Sequence, residues 1–337
     1  RVEGHVLGRE EDVERPAALA RHGLEVAIIN SSAGKIDILD CRDGTLLRQV
    51  QYRDDWNTWF TSGQHAVQTT SREVKDRAGS AIQVEANNGA AVRLLNLFTG
   101  EVIVEKELEP LSRADSCDDR YLAILQPSGK LLYCDVEQGK VAEHDVPAHP
   151  KLERVRLQRF VDRLVVLTSS AFPSPPVTVL PRTDELAVSR GIYPVNGSVF
   201  GLSAEDGSLL WDRPARLLNF AFPNSQPRFS PYMVCYRVLK PADSKGGVAQ
   251  LVAIDLRDGT LAYSNTALNL RNEDTYEFGM EVMAARPAVK VAIGLYTTII
   301  TATDLEKPPQ PVCVFGALAS PRTARTRPPF GIFNPSP

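Results

Sequence analysis

One stretch of the chain combines several residue types that could do chemistry. Between residues 54 and 65 it holds two carboxylates, two indoles and one imidazole, contributed by Asp54, Asp55, Trp56, Trp59 and His65. Such a mixed loop could bind a ligand or a peptide. Alternatively, the aromatic rings pack against neighbouring strands while the acids stay solvated. We favour packing for this stretch, and we keep these five residues as the candidates for partner binding.

Motifs for catalysis and metal binding are weaker. His144 and His149 lie in a proline-containing connection without the helical His-x-x-x-His spacing of zinc sites. Cys117-Asp118-Asp119 has the composition of an ordinary turn. The chain contains neither a glycine-rich phosphate loop nor a G-x-S-x-G nucleophile elbow. The sequence therefore favours a non-catalytic protein, and predicts no metal.

Charge and composition exclude other classes of partner. The 38 basic and 41 acidic residues leave a net charge of −3, which attracts neither nucleic acid nor an anionic membrane. The longest apolar run, residues 291–300, is about half a membrane span. Of the five cysteines, Cys41, Cys117, Cys134, Cys235 and Cys313, we expect buried free thiols at Cys41, Cys134 and Cys235, with a disulfide pair as the alternative. The chain starts at Arg1 without a signal-like segment, so we expect a processed chain or part of a longer protein.

The elements that must position these residues form a repeat. Residues 248–265 (VAQLVAIDLRDGTLAYSN) read as an apolar strand, a tight turn and a returning strand. A glycine closes each turn, and four residues earlier a small polar side chain can bond the turn backbone. We predict this turn-locking role for five pairs of residues: Asp40 and Gly44, Asn96 and Gly100, Asp135 and Gly139, Ser203 and Gly207, and Asp255 and Gly259.

The spacing of the repeat predicts the architecture. Its glycines are 56, 39, 68 and 52 residues apart, and a period of roughly 40–50 residues indicates propeller blades. We predict an all-β fold, a β-propeller of about six to seven four-stranded blades spanning residues 23–316. Residues 1–22 would be an irregular lead-in with a short helix, and residues 317–337 an extended arm. In the second copy we expect 81–86 to pair with 90–95.

The best-formed copies resemble the PQQ-like (quinoprotein-type) propeller repeat, A-x-D-x-x-x-G-x-x-x-W, which has a WD-like geometry. Ala253, Asp255 and Gly259 match it, as do Gly207 and Trp211. The resemblance implies a propeller and, through many relatives, a periplasmic or cell-envelope location. The family's cofactor is held by a calcium ion and often by adjacent cysteines. No calcium ligands can be assigned and no cysteines are adjacent, so we predict no cofactor.

The function predicted is a non-catalytic interaction scaffold in a larger protein or a multi-subunit assembly. Its partners would be proteins, including subunits of a membrane-bound complex, and not nucleic acid. The C-terminal arm joins basic and apolar side chains among prolines, which suits docking on a partner, with docking on its own propeller as the alternative. The arm residues predicted to bind are Arg322, Arg325, Arg327, Phe330 and Phe333. The insertion at 170–196 would lie on the same face as the Trp56/Trp59 loop. The alternative is a ligand-binding or enzymatic propeller, a degenerate quinoprotein or a hydrolase, that uses channel-facing carboxylates.

Overall fold

The structure is a computed structural model. It describes residues 19–30, 34–51, 56–70, 73–75, 82–84, 90–170, 192–239, 247–270, 278–283, 288–293 and 296–301. In this part of the chain every regular element is a β-strand, and no helix is long and apolar enough to cross a membrane.

Blades 1 and 2 are four-stranded antiparallel sheets. Blade 1 consists of β1 (Leu19–His22), β2 (Glu25–Asn30), β3 (Lys35–Asp40) and β4 (Leu46–Gln51). Blade 2 consists of β5 (Asn57–Ser62), β6 (His65–Thr69), β9 (Ala90–Asn96) and β10 (Val102–Leu108), and between β6 and β9 comes a separate hairpin of β7 (Glu73–Lys75) and β8 (Ile82–Val84).

Blade 3 is a third meander, and blade 4 follows it. Blade 3 consists of β11 (Arg113–Cys117), β12 (Tyr121–Leu125), β13 (Lys130–Asp135) and β14 (Lys140–Asp145). Blade 4 consists of β15 (Leu152–Phe160), β16 (Arg163–Ser170) and β17 (Ile192–Ser203). A single bridge between Leu202 and Leu209 marks the place of its fourth strand.

Blades 5 and 6 complete the described part. Blade 5 consists of β18 (Ala215–Pro223), β19 (Tyr232–Leu239), β20 (Gly247–Asp255) and β21 (Leu261–Leu270). Blade 6 consists of β22 (Phe278–Met283), β23 (Ala288–Ile293) and β24 (Tyr296–Thr301). Hydrogen bonds between β17 and β18 join blades 4 and 5 into a seven-stranded sheet.

The hydrophobic core lies between successive blades. Five clusters of buried side chains fill the five seams, which are the contacts between one blade and the next. Each cluster contains residues of both blades, for example Ile36 with Leu97, Val67 with Leu122, Tyr133 with Leu164, Val165 with Met233, and Tyr236 with Val291. Middle strands such as β12 are buried throughout, whereas fourth strands such as β4 are mostly exposed. Cover on both faces explains why the middle strands are apolar.

Successive meanders that pack face to face, with first strands β11 and β15 side by side, define a β-propeller. The predicted all-β propeller fold is confirmed. The sequence predicts the blades because an apolar third strand that ends in a glycine turn recurs along the chain.

Blade 2 differs from the expected pairing. The partner of β9 is β6, in a register that joins His65 to Asn96, and not a strand at 81–86. All five residues of β6 are buried, as a middle strand requires, whereas the sequence around β8 alternates with polar residues. β8 instead pairs with β7 and lies beside β11.

The first blade also begins earlier than expected. β1 occupies residues 19–22, which the sequence assigned to the lead-in, and pairs with β2 through Leu19 with Ile28 and Ala20 with Ala27. Ala20 and Ala27 are buried, so β1 belongs to blade 1 as its first strand. The rest of the predicted lead-in, the predicted arm and most of the insertion at 170–196 lie outside the described residues.

Candidate functional site

Ten short connections meet on one face of the propeller, which we call the turn face. In an antiparallel meander, the turn from first to second strand and the turn from third to fourth strand lie at the same end. The first set comprises residues 23–24, 63–64, 118–120, 161–162 and 224–231, and the second comprises residues 40–44, 96–100, 135–139, 203–207 and 255–259.

Each blade ties its two turns together in the same way. The residue after the turn-locking position donates its backbone N–H to a carbonyl of the first turn, as Cys41 does to Leu24 at 2.8 Å and Ala204 does to Asp162 at 2.9 Å. The other three donors are Leu97, Val136 and Leu256. In each of blades 1 to 5, a backbone hydrogen bond therefore fixes the two turns of the blade to each other.

The polar side chains that open the turns accept backbone hydrogen bonds. Asp40 Oδ1 accepts from Arg42 N at 2.8 Å, and Asp255 Oδ1 accepts from Arg257 N at 2.8 Å. Asn96, Asp135 and Ser203 accept equivalent bonds. The guanidinium of Arg42 also folds back onto Asp40 and lowers the pKa of that carboxyl to about 2.

The turn glycines are positions where the preceding blade makes contact. Gly259 has a φ of 75°, and a Cβ placed on it would lie 2.6 Å from Cδ2 of Trp211 in blade 4. Val50 covers Gly100 in the same way, Ile103 and His65 cover Gly139, and Tyr133 covers Gly207. These four glycines therefore serve both the turn and the seam between blades, whereas a Cβ on Gly44 would meet nothing within 4 Å.

The seam between blades 3 and 4 has further polar contacts. His144 Nε2 donates to the carbonyl oxygen of Gly207 at 2.6 Å, and Tyr133 Oη donates to that of Ala204 at 3.2 Å. Lys140 Nζ donates to that of Glu205 at 3.1 Å. Blade 3 thus holds the 203–207 turn, in which Ser203 stands where blades 1, 3 and 5 have an aspartate.

The aromatic residues predicted to bind a partner are buried. Trp56 is 5 % exposed, Trp59 is 8 % exposed and His65 is 4 % exposed. The guanidinium of Arg93 lies over the ring of Trp56, with its Cζ 4.4 Å from the ring centroid. The structure buries all three side chains in blade packing, which is the interpretation that we favoured for this stretch. Asp54, Asp55 and the five arm residues lie outside the described residues.

The cysteines and histidines have structural surroundings. Cys134 and Cys235 are buried free thiols, and burial raises the pKa of Cys134 to about 12. Cys41 is exposed, contrary to expectation, because it lies in a turn. His149 packs edge-on against Phe200, and burial lowers its pKa. Across the described ranges, no three potential ligands are arranged to hold a metal.

One titratable group is buried between first strands. Asp115 on β11 is 0 % exposed, and its Oδ2 accepts from Leu157 N of β15 at 2.8 Å. Arg156 NH1 lies 3.5 Å from the same oxygen, and Oδ1 has no hydrogen-bond partner. Burial outweighs the arginine and raises the pKa of Asp115 to about 7.

A cross-blade clasp lies on the turn face. Arg228, in the long 224–231 loop of blade 5, binds Asp118 of blade 3 through NH1 at 2.9 Å and NH2 at 2.7 Å. Arg159 of blade 4 shares that carboxylate, and the carbonyl oxygen of Arg228 accepts from Val161 N at 3.0 Å. The loop therefore spans three blades.

The clasp loop is held rigidly from inside. β18 and β19 share only one paired position, Ala221 with Tyr236, and the buried Gln226 bridges the gap. Its Oε1 accepts from Val234 N at 2.8 Å, and its Nε2 donates to Val234 O at 2.7 Å. Pro227 and Pro231 further restrict the backbone on either side of Arg228 and Phe229.

The clasp presents exposed apolar side chains on a strained backbone. Phe229 is 66 % exposed and Val161 is 59 % exposed. Val161 has a φ of 35°, and Asp118 and Asp119 also have positive φ. Left-handed backbone is costly for a β-branched residue, and such strain is concentrated at functional sites.

The exposed apolar side chains are concentrated on this face. Of twelve large ones in the described part, ten lie in its turns or just beyond them. Three are in the first set of turns, Leu24, Val161 and Phe229, and seven follow the turn glycines: Leu46, Leu47, Val102, Ile103, Leu209, Leu210 and Leu261. Only Leu111 and Leu218 lie elsewhere. These seven residues follow four of the five turn glycines by two or three positions, all except Gly139, and this spacing is visible in the sequence.

Comparison with known proteins supplies no family. No protein-family model matches the chain, and no curated protein matches it. Among solved structures, hydrazine synthase from Kuenenia stuttgartiensis is 12 % identical with a TM-score of 0.31, covering 88 % of this chain and 80 % of that one. The β-propeller domain of Cps50 (Swd1) from Myceliophteria thermophila is 12 % identical with a TM-score of 0.28, covering 82 % and 80 %. The computationally designed Ika8 protein is 13 % identical with a TM-score of 0.25, covering 83 % and 93 %.

No conclusion about this chain rests on these likenesses. Its sheets and seams define the class, a β-propeller, and its surface defines an apolar turn face on that propeller.

Proposed function

We propose that this β-propeller is a non-catalytic interaction scaffold and that its turn face binds a protein partner. The observation that carries the proposal is the concentration of exposed apolar side chains on that face. Contiguous exposed apolar surface on a folded protein marks interaction sites. Arginine and aromatic residues in rigid loops are the common anchors of such sites, and Arg228 and Phe229 fit this description.

The PQQ-like repeat, the enzymatic alternative and the C-terminal binding arm are hypotheses from the sequence that remain proposals. Trp211 packed on Gly259 supports a PQQ-like repeat in blades 4 and 5. Asp115 is engaged by blade 4, so the alternative of an enzymatic propeller gains no specific support from it. The arm residues and the acids Asp54 and Asp55 remain predicted contacts for a second partner surface.

A photo-crosslinking experiment tests the turn face. A photoreactive phenylalanine analogue is placed at Phe229, and in a control chain at Leu111, which is exposed away from this face. In cells that make the protein, we expect a discrete protein adduct from position 229 alone. With the partner purified, Phe229→Ser weakens binding at least about tenfold, the size of a modest hot spot, while Leu111→Ser does not.

Adducts of equal yield from both positions would contradict the proposal. So would an unchanged affinity of Phe229→Ser for the purified partner.

A further inference from the structure

The turn face differs in charge from the rest of the molecule. Its ten turns hold eleven acidic and four basic residues, whereas the whole chain holds 41 acidic and 38 basic ones. The described connections on the opposite face, residues 109–112, 126–129 and 146–151, hold one of each, Glu109 and Lys151. The acidic excess is therefore a property of the apolar face.

The basic residues of this face are already neutralised. Arg42 pairs with Asp40, Arg257 pairs with Asp255, and Arg120 pairs with both Asp135 and Glu137. Arg228 pairs with Asp118, which Arg159 of blade 4 also binds. The four arginines therefore pair with five of the eleven acids, and the ten turns keep a net charge of −7, eleven acidic minus four basic residues.

Exposed acids lie around the exposed apolar pair at the clasp. Asp119 is exposed beside Asp118. Asp162 follows Val161 with 74 % of its side chain exposed, and meets Arg163 at 3.5 Å. Glu205 is exposed in the turn that hydrogen-bonds to Asp162. Phe229 and Val161 thus form an apolar centre with an acidic rim.

We infer that the occupant of this surface is a basic, apolar segment of a partner protein. The inference rests on the proposed function and specifies its chemistry. Aromatic or aliphatic side chains of the segment pack on Phe229 and Val161, while its lysines or arginines face Asp119, Asp162 and Glu205. Complementary rim charges speed association and set specificity. The same field repels nucleic acid and anionic membranes.

Peptide selection on the intact chain tests the partner chemistry. A displayed library of random 16-residue peptides is panned against the wild-type chain, against Phe229→Ser, and against the triple variant Asp119→Asn, Asp162→Asn, Glu205→Gln. Asparagine tolerates the left-handed backbone at position 119, so the triple variant keeps the fold. Leu111→Ser is the control.

We expect wild type and Leu111→Ser to select peptides that combine Lys or Arg with aromatic or aliphatic residues. The triple variant binds them about tenfold more weakly, as three exposed ion pairs of ~0.5 kcal/mol each predict. Binding to wild type also weakens as salt is raised.

The two proposals fail in different ways. If the selected peptides depend on Phe229 but are acidic or uncharged, or bind the triple variant equally well, the inference of a basic partner segment is wrong. The proposal that the turn face binds a protein is then unaffected. If no selected peptide depends on Phe229, the turn face itself is not the binding surface.

Discussion

At the scale of single residues, Asp115 shows how burial controls a charge. Its carboxyl group is enclosed between β11 and β15, where water cannot solvate the ionised form. Arg156 compensates only in part, at 3.5 Å. The protonated form is therefore favoured up to a pH near 7.

This makes the free energy of unfolding depend on pH. The pKa of Asp115 is raised from 3.8 to about 7. The contribution of its protonated form to the free energy of unfolding is therefore fully present below pH 4. That contribution is lost as pH rises to about 7 and stays lost above it. The stability of wild type minus that of Asp115→Asn should fall across this window, by at most about 4 kcal/mol.

Denaturant unfolding of both proteins between pH 4 and 8 measures this difference. Asp119→Asn, an exposed substitution on a nearby turn, controls for general charge effects and should give no such slope. A wild-type difference curve that is flat over the window would show that Asp115 is ionised throughout.

At the scale of elements, the five glycine turns share a backbone but differ in what covers them. Gly44 and Gly259 have φ values of 73° and 75°. A Cβ on Gly44 would meet nothing within 4 Å, whereas one on Gly259 would meet Trp211. Comparing an alanine substitution at the two positions therefore separates the cost of backbone strain from the cost of crowding the seam between blades.

We expect Gly44→Ala to destabilise the protein by about 1 kcal/mol, from the left-handed backbone alone. Gly259→Ala should cost about 1–3 kcal/mol more, since it overpacks the seam. Equilibrium denaturation measures both. In a Trp211→Ala background, Gly259→Ala should cost no more than Gly44→Ala; additive effects there would disprove the seam contact.

The turns are also the part of the fold that the sequence predicts best. The spacing between Asp40 and Gly44, or Asp255 and Gly259, is local and recurs, so blades and their order can be inferred. Blade 2 shows the limit, because the hairpin of β7 and β8 lies between paired strands β6 and β9. Which strand pairs with β9 depends on burial, which single-sequence patterns do not measure.

The candidate site was harder to predict for a related reason. Trp56 and Trp59 stand out in the sequence by residue type, yet both are buried, Trp59 in the seam between blades 2 and 3 and Trp56 under Arg93. Phe229 lies in an unremarkable loop and becomes distinctive only when blades 3, 4 and 5 bring Val161 and Asp118 beside it. Contacts between residues far apart in sequence create this surface.

At the scale of the whole molecule, the clasp links three blades through one side chain. Because Arg228 is 58 % exposed, its pairing with Asp118 should add less than about 1 kcal/mol to global stability. Its local effect is larger, because the same loop accepts the hydrogen bond from Val161 N.

We therefore expect Arg228→Ala to leave global unfolding almost unchanged while it speeds amide hydrogen exchange at Val161 and in residues 224–231 several-fold. Mass spectrometry of exchanged peptides measures this. Arg42→Ala, which removes an ion pair confined to one turn, should leave both segments unaffected. Unaltered exchange at Val161 in Arg228→Ala would mean that the loop is held without the clasp.

The clasp also has a consequence for the time at which the turn face is completed. Asp118 and Arg228 are 110 residues apart, so a growing chain exposes the carboxylate well before its partner is synthesised. Domains form from the N-terminal side during synthesis. Blades 3 and 4 can therefore pack while the apolar centre of the turn face does not yet exist. The surface becomes complete only once blade 5 is made, so a partner that requires Phe229 can bind only after that point.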